Sequence, residues 1–336
     1  MRDIADYSLL QHNTFGIDVK CRRFLEYGTI EEAQQVASIL RDAQQPYIVI
    51  GGGCNLLFTK DYDGIVVHSA IKGIKFDDTK MLCGSGEEWD DVVVKSLEKE
   101  LYGLENLSLI PGEVGASAVQ NIGAYGVDAQ MFIKNTYAVE IATGNISVLP
   151  YAECQYGYRD SRFKHEWKNK YLICAVEYEL TRVFFPRLGY GNIRAELERR
   201  GIKEEKVTAS QVRDTIIDIR NSKLPDPKVL GNAGSFFVNP VVAREKFEAL
   251  QKDYPDMPHY LTTDETKVKI PAGWMIEQCG WKGKSLGRAG VHSKQALVLV
   301  NRGGATGKEI VELCNAIRAD VFNKFGIMIN PEVNII

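Results

Sequence analysis

Much is missing from this chain of 336 residues. No stretch approaches the roughly 18 consecutive apolar residues of a membrane span, and the N-terminal MRDIADYSLLQHNTFG lacks the apolar run of a signal peptide. The seven cysteines, at 21, 54, 83, 154, 174, 279 and 314, form no CxxC pair and are odd in number. That pattern argues against a disulfide frame and suits reduced thiols in a cytosol. The five histidines, at 12, 68, 165, 259 and 292, show neither HxxH nor HExxH spacing, which disfavours a metal site. A net charge of −3 gives no electrostatic reason to expect nucleic acid or an anionic membrane as partner. Two phosphate-binding signatures are absent as well. Gly51-Gly52-Gly53-Cys54-Asn55 is not GxGxxG, and the apolar Leu56-Leu57-Phe58 after it reads as a strand rather than a helix start. In GGATGKE (303–309) the glycine spacing is short by one, and Glu309 stands where a Walker loop needs a hydroxyl.

What is present is globular: 45% apolar and 25% charged residues, with a length that calls for two or three domains. The first half reads as strand-rich. Ile30, Ala33, Val36, Ala37 and Leu40 mark one face of a helix over 30–45. Strands are expected in PYIVI, GIVVHSA and MLCGSG, a helix in EEWDDVVVKSLEKEL, and a hairpin in NTYAVEIATGNISVLP turning at 143–145. The texture changes over 182–210 to a loop and a charged helical stretch, which suggests a boundary near 205. Beyond it the expectation is helix (SQVRDTIIDIRNSK), strand (GSFFV), helix (VAREKFEALQKDY), strand (QALVLVN), a long helix opened by a capping box from Thr306 to Glu309, and a final strand IMINPEVNII. The fold class is α+β.

Five places carry residues suited to chemistry. The triple glycine at 51–53 frees backbone N–H groups to turn toward an anion, or it is a plain turn. The segment 103–126, GLENLSLIPGEVGASAVQNIGAYG, is too long for a simple connection and too apolar for disorder. Its small residues suit a backbone laid against a flat ligand, or else a buried small-residue helix. YGYRDSRFK (156–164) offers the Arg159 guanidinium, shaped to grip a carboxylate or phosphate, or a surface ion-pair cluster. In GNAGSFFVNP (231–240), Ser235 sits between a flexible approach and a Phe-Phe anchor. Such an arrangement fixes one hydroxyl, and it also simply enters a core strand. Glu332 is the one acid in the apolar C-terminal stretch, costly there unless paired or used, or else facing water at an edge.

Taken in order, GGGCNLL (51–57), IPGEVGASAVQNIGAYG (110–126), YGYRDSRFK (156–164), RNSKLPDP (220–227), GNAGSFFVNP (231–240), AGWMIEQCGWKG (272–283), HSKQALVLVN (292–301) and NPEV (330–333) resemble the UDP-N-acetylenolpyruvoylglucosamine reductase family over nearly the whole chain. The resemblance implies an FAD-binding domain of two α+β subdomains (the PCMH type), over 1–68 and 69–205, and a substrate-binding domain over 206–324, and it allows 325–336 to return to the first subdomain. It implies non-covalent FAD held by Gly51, Gly52, Gly53, Cys54, Asn55 and Leu56, and by Ile110, Pro111, Gly112, Gly115, Ala116, Gln120, Asn121, Ile122 and Gly123. Arg159, Ser235 and Glu332 fall on the family's catalytic positions. Tyr125, Tyr158, Tyr190, Lys223, Asn239, Tyr260, Lys282 and Gln295 fall where the family contacts its nucleotide-sugar substrate or NADPH. Tyr190, in LGYGNI, points to the subclass whose tyrosine loop closes over the substrate. Two departures stand out: Cys54 replaces a usual serine, and Glu113 replaces a small polar residue, so that its charge must point away from the diphosphate.

The implied reaction is cytoplasmic and serves peptidoglycan precursor synthesis. NADPH reduces FAD, flavin N5 passes hydride to C3 of UDP-N-acetylglucosamine enolpyruvate, and Ser235 gives C2 its proton. Arg159 and a Glu332 of raised pKa stabilise the enolate-like charge. Another FAD oxidoreductase of the same fold, acting on a sugar or alcohol, would need no donor at Ser235. A purely binding flavoprotein would leave the three catalytic positions unexplained.

Overall fold

The computed structural model describes all 336 residues, which fold into two compact units. The first comprises Met1–Tyr7, Lys20–Gly53 and Tyr62–Ser222; the second comprises Ser8–Val19, Cys54–Asp61 and Lys223–Ile336. Eight α-helices run in chain order: α1 (Ile30–Asp42), α2 (Trp89–Glu98), α3 (Val114–Gln120), α4 (Ile193–Arg199), α5 (Ala209–Lys223), α6 (Arg244–Gln251), α7 (Ala272–Gln278) and α8 (Gly307–Phe325).

The first unit contains two sheets. One orders Arg2–Ser8, Lys20–Tyr27, Tyr62–Ser69 and Tyr47–Ile50, the last three parallel. Parallel strands need a crossover, which α1 supplies between Lys20–Tyr27 and Tyr47–Ile50, the two strands that flank Tyr62–Ser69. Thr29 caps α1 by accepting from the Glu32 N–H, and Ala33, Val36, Ala37 and Leu40 bury one face against Leu25, Tyr27, Ile65 and Val67. Ile30, expected on that face, is 37% exposed because it lies at the first turn. The other sheet is antiparallel throughout, in the order Ile146–Pro150, Ile133–Glu140, Tyr171–Glu179, Lys80–Gly84, Ile74–Asp77, with the anticipated hairpin at 143–145. Its core gathers α2 and α3 around Trp89, Val92, Val93, Val114, Ala118 and Tyr178.

The boundary falls at 222/223 rather than near 205. The charged stretch 182–210 does contain an apolar stripe, since Leu188, Ile193, Leu197 and Val207 cluster with Val212, Ile216 and Ile219 of α5 and tie that helix to the first unit. The segment 103–126 is neither wholly loop nor wholly helix. A single 3-10 turn (Glu105–Leu107), the two-turn α3 and a tight hairpin pairing Gly123–Ala124 with Val127–Asp128 divide it.

The second unit has an antiparallel sheet ordered Asn232–Ser235, Val298–Asn301, Ala289–Val291, Ser285–Leu286, and a smaller one ordered Val241–Ala243, Lys267–Lys269, Tyr260–Leu261. α8 buries Ile310, Leu313, Ile317, Val321 and Phe325, and Gly307 lies so close to the Phe58 carbonyl that no Cβ fits. The C-terminal stretch is not one strand: only Asn334–Ile335 is a strand, pairing in parallel with Leu56–Leu57. It thus returns to a segment within the first 68 residues, but that segment belongs to the second unit.

The expected capping box is present, with the Glu309 N–H donating to Thr306 Oγ1 at 3.3 Å and the Thr306 N–H to Glu309 Oε2 at 2.8 Å. Thr306→Ala should lower stability by about 1 kcal/mol, read as a reduced thermal midpoint, with flavin content unchanged. An unshifted midpoint would show that tertiary packing alone starts α8.

Candidate functional site

In the first unit the triple glycine follows the strand Tyr47–Ile50, with Gly53 at φ +68°, a region costly for any residue with a Cβ. Gly51 lies against α3, where an added Cβ would stand 3.1 Å from Ala116 Cβ and 3.4 Å from Glu113 Oε2. A Cβ on Gly115 would stand 3.1 Å from Ser85 Cβ. The glycine loop and the turn at 84–86 therefore each lie close against α3. Gln120 Oε1, at the end of α3, is buried without a hydrogen-bond partner, and a buried acceptor left this way has a ligand donor as its natural complement. Gly112 at φ +124° and Asn121 at φ +47° bracket the helix. Asn121 donates from Nδ2 to the Gly157 carbonyl at 2.6 Å and accepts from the Gln130 N–H at 2.9 Å, which locks the chain end. Ile110 and Ile122 pack at the margin of the core, while Pro111 is exposed. Gly52, Cys54, Asn55 and Leu56 are partly exposed. A peptide edge with small side chains and one unmatched acceptor fits a flavin dinucleotide.

Arg159 is a non-glycine residue at φ +54°, a conformation costing roughly 1–3 kcal/mol and concentrated at functional sites. Its guanidinium donates to the carbonyls of Asn121 (3.4 Å) and Gly123, lies 3.9 Å from the Asp128 carboxylate and sits 5.6 Å above the Tyr158 ring. A Cβ on Gly123 would meet Asp128 Oδ1 and Arg159 Nη1, so a larger residue there would push these two side chains aside where the guanidinium crosses the hairpin. Tyr125 is also at positive φ, +50°. The tyrosine loop lies against it: a Cβ on Gly126 would stand 3.2 Å from Tyr190 Cβ, and one on Gly191 3.5 Å from the Tyr125 ring. Arg159, Tyr125, Tyr158 and Tyr190 are thus gathered around the Gly123–Asp128 hairpin.

Two residues without an assigned role complete this group. Asn106, fully buried, donates from Nδ2 to the carbonyls of Tyr125 (3.0 Å) and Arg187 (2.8 Å), joining hairpin to tyrosine loop. Arg220, inside the RNSKLPDP motif, is a buried guanidinium whose Nε has no partner and whose charge faces Tyr125 and Asp90. Burial pushes the Tyr125 phenol up, with Arg220 opposing, and pushes Arg220 down. The signals in the sequence are an asparagine between Leu104 and Leu107 and an arginine three positions before Lys223.

In the second unit, GNAGS is the strand Asn232–Ser235, which pairs Asn232 with Val300 and Ser235 with Val298, leaving a bulge between. Gly234 at φ +67° makes that bulge, and its N–H donates to Asn232 Oδ1 at 2.9 Å. The strand ends at Ser235 rather than running through the phenylalanines. Ser235 is exposed, while Phe236 and Phe237 are buried at 0% and 1%, so the aromatics anchor the chain and the hydroxyl faces out. The Glu332 N–H donates to the Phe236 carbonyl at 2.8 Å and the Val238 N–H to the Asn330 carbonyl at 3.0 Å, which sets Glu332 beside Phe236, the residue that follows Ser235 in the chain. Asn55 Nδ2 donates to the Glu332 carbonyl at 3.3 Å. Elsewhere in the second unit, Asn239 accepts from the Ala272 N–H at 2.9 Å, Gln295 from the Leu297 N–H at 3.3 Å, and Lys282 pairs with Glu277 at 2.9 Å. Tyr260 lies under Lys269 Nζ at 5.5 Å, and Lys223 at the end of α5 hydrogen-bonds through its backbone to His292.

The Glu113 carboxylate is held by His68 Nε2 at 3.0 and 3.1 Å. All seven cysteines are free thiols. Asn106→Ala leaves two carbonyls without a donor. We expect a loss of about 2 kcal/mol and faster amide exchange over 184–191 in the folded protein. Unchanged exchange there would show that other contacts hold the tyrosine loop.

Two family models match the chain: an FAD binding domain over residues 22–149, and the UDP-N-acetylenolpyruvoylglucosamine reductase C-terminal domain over 226–336. The UDP-N-acetylenolpyruvoylglucosamine reductase of Bacteroides fragilis strain YCH46 is 54% identical over 335 residues, covering 98% of this chain and 99% of its own. The enzyme of that name from Burkholderia ambifaria is 46% identical over 337 residues, covering 98% and 95%. The crystal structure of UDP-N-acetylenolpyruvylglucosamine reductase from Thermus caldophilus superposes with a TM-score of 0.69 at 20% identity, covering 99% of this chain and 98% of that one.

Proposed function

The chain belongs to the UDP-N-acetylenolpyruvoylglucosamine reductase family, and we propose that Arg159, Ser235 and Glu332 act together on its substrate. The protein is an FAD-dependent oxidoreductase of peptidoglycan precursor synthesis that reduces UDP-N-acetylglucosamine enolpyruvate to UDP-N-acetylmuramate, with NADPH as hydride donor. We assign FAD to the glycine loop 51–56 and to 110–123, and the nucleotide sugar and NADPH to the tyrosines and to the second unit's lysines and amides. No helix is long and apolar enough to cross a membrane, and polar nucleotide substrates favour action in the cytoplasm.

The chemistry supplied by FAD when bound is carriage of hydride from NADPH to C3 of the enolpyruvyl group. The protein must then manage charge and a proton. As C3 gains hydride, electron density moves onto C2 and its carboxylate. The Arg159 guanidinium, fixed by the Asn121 and Gly123 carbonyls, stabilises that charge without reorganising. A protonated Glu332 donates a hydrogen bond to the carboxylate, whereas an ionised one would repel it. The Ser235 hydroxyl gives its proton to C2 and recovers one from solvent, so that hydride and proton together saturate the double bond. The observation that carries this reading is an exposed Ser235 between a glycine bulge and two buried phenylalanines, the first of which is hydrogen-bonded through its carbonyl to the Glu332 N–H. Tyr190, beside Tyr125 and Gly126, is the residue that closes over the substrate.

The two half-reactions separate the roles. Ser235→Ala should bleach the flavin with NADPH at close to the normal rate, while reoxidation by the enolpyruvyl substrate slows by about 10²–10⁴-fold. Ser235→Cys should retain more activity than alanine. Normal turnover of Ser235→Ala would show that the proton comes from another group.

A further inference from the structure

His68, on the strand Tyr62–Ser69, sits inside a chain of charges that the mechanism leaves unused. Its Nδ1 is 2.9 Å from Glu26 Oε2, and its Nε2 is 3.0 and 3.1 Å from the two Glu113 oxygens. Arg2 closes the outer end by donating to Glu26 at 2.9 Å. His68 and Glu113 are each 8% exposed. The inner end stops at the glycine loop, because Glu113 Oε2 lies 3.4 Å from where a Cβ on Gly51 would stand. A buried carboxylate therefore abuts the first of the three glycines assigned to the flavin. Phe24 stacks over the imidazole at 6.5 Å, and the Tyr27 phenol is the further titratable group that feels Glu113.

With the imidazole protonated, Arg2 and His68 balance Glu26 and Glu113. With it neutral, the set carries one net negative charge, and the buried Glu113 carboxylate is the member nearest the loop. A dinucleotide diphosphate brought to that loop is repelled by the uncompensated carboxylate and tolerated by the neutralised one.

We propose that His68 is a positioning residue for the cofactor: it holds and neutralises the Glu113 carboxylate beside Gly51, so that FAD binding is coupled to protonation of the imidazole. The inference rests on the assignment of FAD to the glycine loop. Two opposing influences act on the imidazole: burial lowers its pKa, and the hydrogen bonds and charges of Glu113 and then Glu26 outweigh that and raise it. The protonated form is thereby kept to higher pH than in an isolated histidine. Because the pKa is raised, the stabilisation this group gives is complete below the ordinary histidine range and is lost as pH rises through the folded value. By reciprocity, FAD must raise it further, and a rise of one unit weakens FAD binding tenfold across the titration.

The test is FAD binding to apoprotein, followed by quenching of flavin fluorescence from roughly pH 6 to 9, a window around the imidazole, with far-ultraviolet dichroism to confirm folding. For the wild type, the dissociation constant should rise about tenfold with pH. Glu113→Gln should flatten that slope and bind more tightly than wild type at the alkaline end. His68→Asn, with the carboxylate uncompensated at every pH, should bind weakly throughout. A flat wild-type profile, or a slope that survives unchanged in folded Glu113→Gln, overturns the proposal. A wild type that takes up no FAD at any pH overturns instead the assignment of FAD to this chain.

Discussion

The hydrogen bond from the Glu332 N–H to the Phe236 carbonyl, 2.8 Å long, is the constraint on which the placing of the second unit's C-terminal stretch depends. It joins residues almost a hundred positions apart and sets the register of the C-terminal stretch against the strand that ends at Ser235. Everything near it keeps that register. The Val238 N–H meets the Asn330 carbonyl, Phe237 bridges to Pro331, and Arg318 of α8 donates to the Ile329 carbonyl at 2.9 Å. Asn334–Ile335 then pairs with Leu56–Leu57, and Asn55 donates to the Glu332 carbonyl. A slip of one residue would turn Glu332 to the opposite side of the chain, since side chains alternate along extended backbone.

The first unit solves a different problem. Its guanidinium and tyrosines must face one hairpin, and the chain there accepts unfavourable backbone to do so. Asn121, Tyr125 and Arg159 are all in the left-handed region, yet only asparagine tolerates it readily. The compensation is visible in what holds each one: the Asn121 side chain is bonded at both ends, Asn106 fixes the Tyr125 carbonyl, and Lys164 Nζ donates to the Arg159 carbonyl at 2.7 Å. The ion pair of Arg213 with Asp90, two contacts of 2.7 Å, ties α5 to α2 behind this group, and the Leu109 N–H caps the same carboxylate.

Local pattern was enough for much of this. The helix over 30–42, the hairpin at 143–145, the capping box and the Phe-Phe anchor follow from periodicity, turn residues and side-chain chemistry within a few positions. What the sequence left hidden is non-local. Nothing near residue 205 shows that α5 will be claimed by Leu188, Ile193 and Leu197, whereas the compact units divide only after that helix, at 222/223. The apolar C-terminal stretch reads as one strand because its hydrophobicity does not reveal that two different segments take up its backbone groups. Glu113 has its partner 45 positions earlier, at His68, and pairing at that distance leaves no periodic trace in the sequence.

If one backbone register makes Ser235 and Glu332 a single catalytic unit, their contributions cannot be independent. The direct measurement is a double-mutant cycle on flavin reoxidation by the enolpyruvyl substrate, using Ser235→Ala, Glu332→Gln and the combination. The account predicts strong non-additivity, with the double mutant about as slow as the slower single mutant. Rate losses that multiply would contradict it, because each residue would then act without the other.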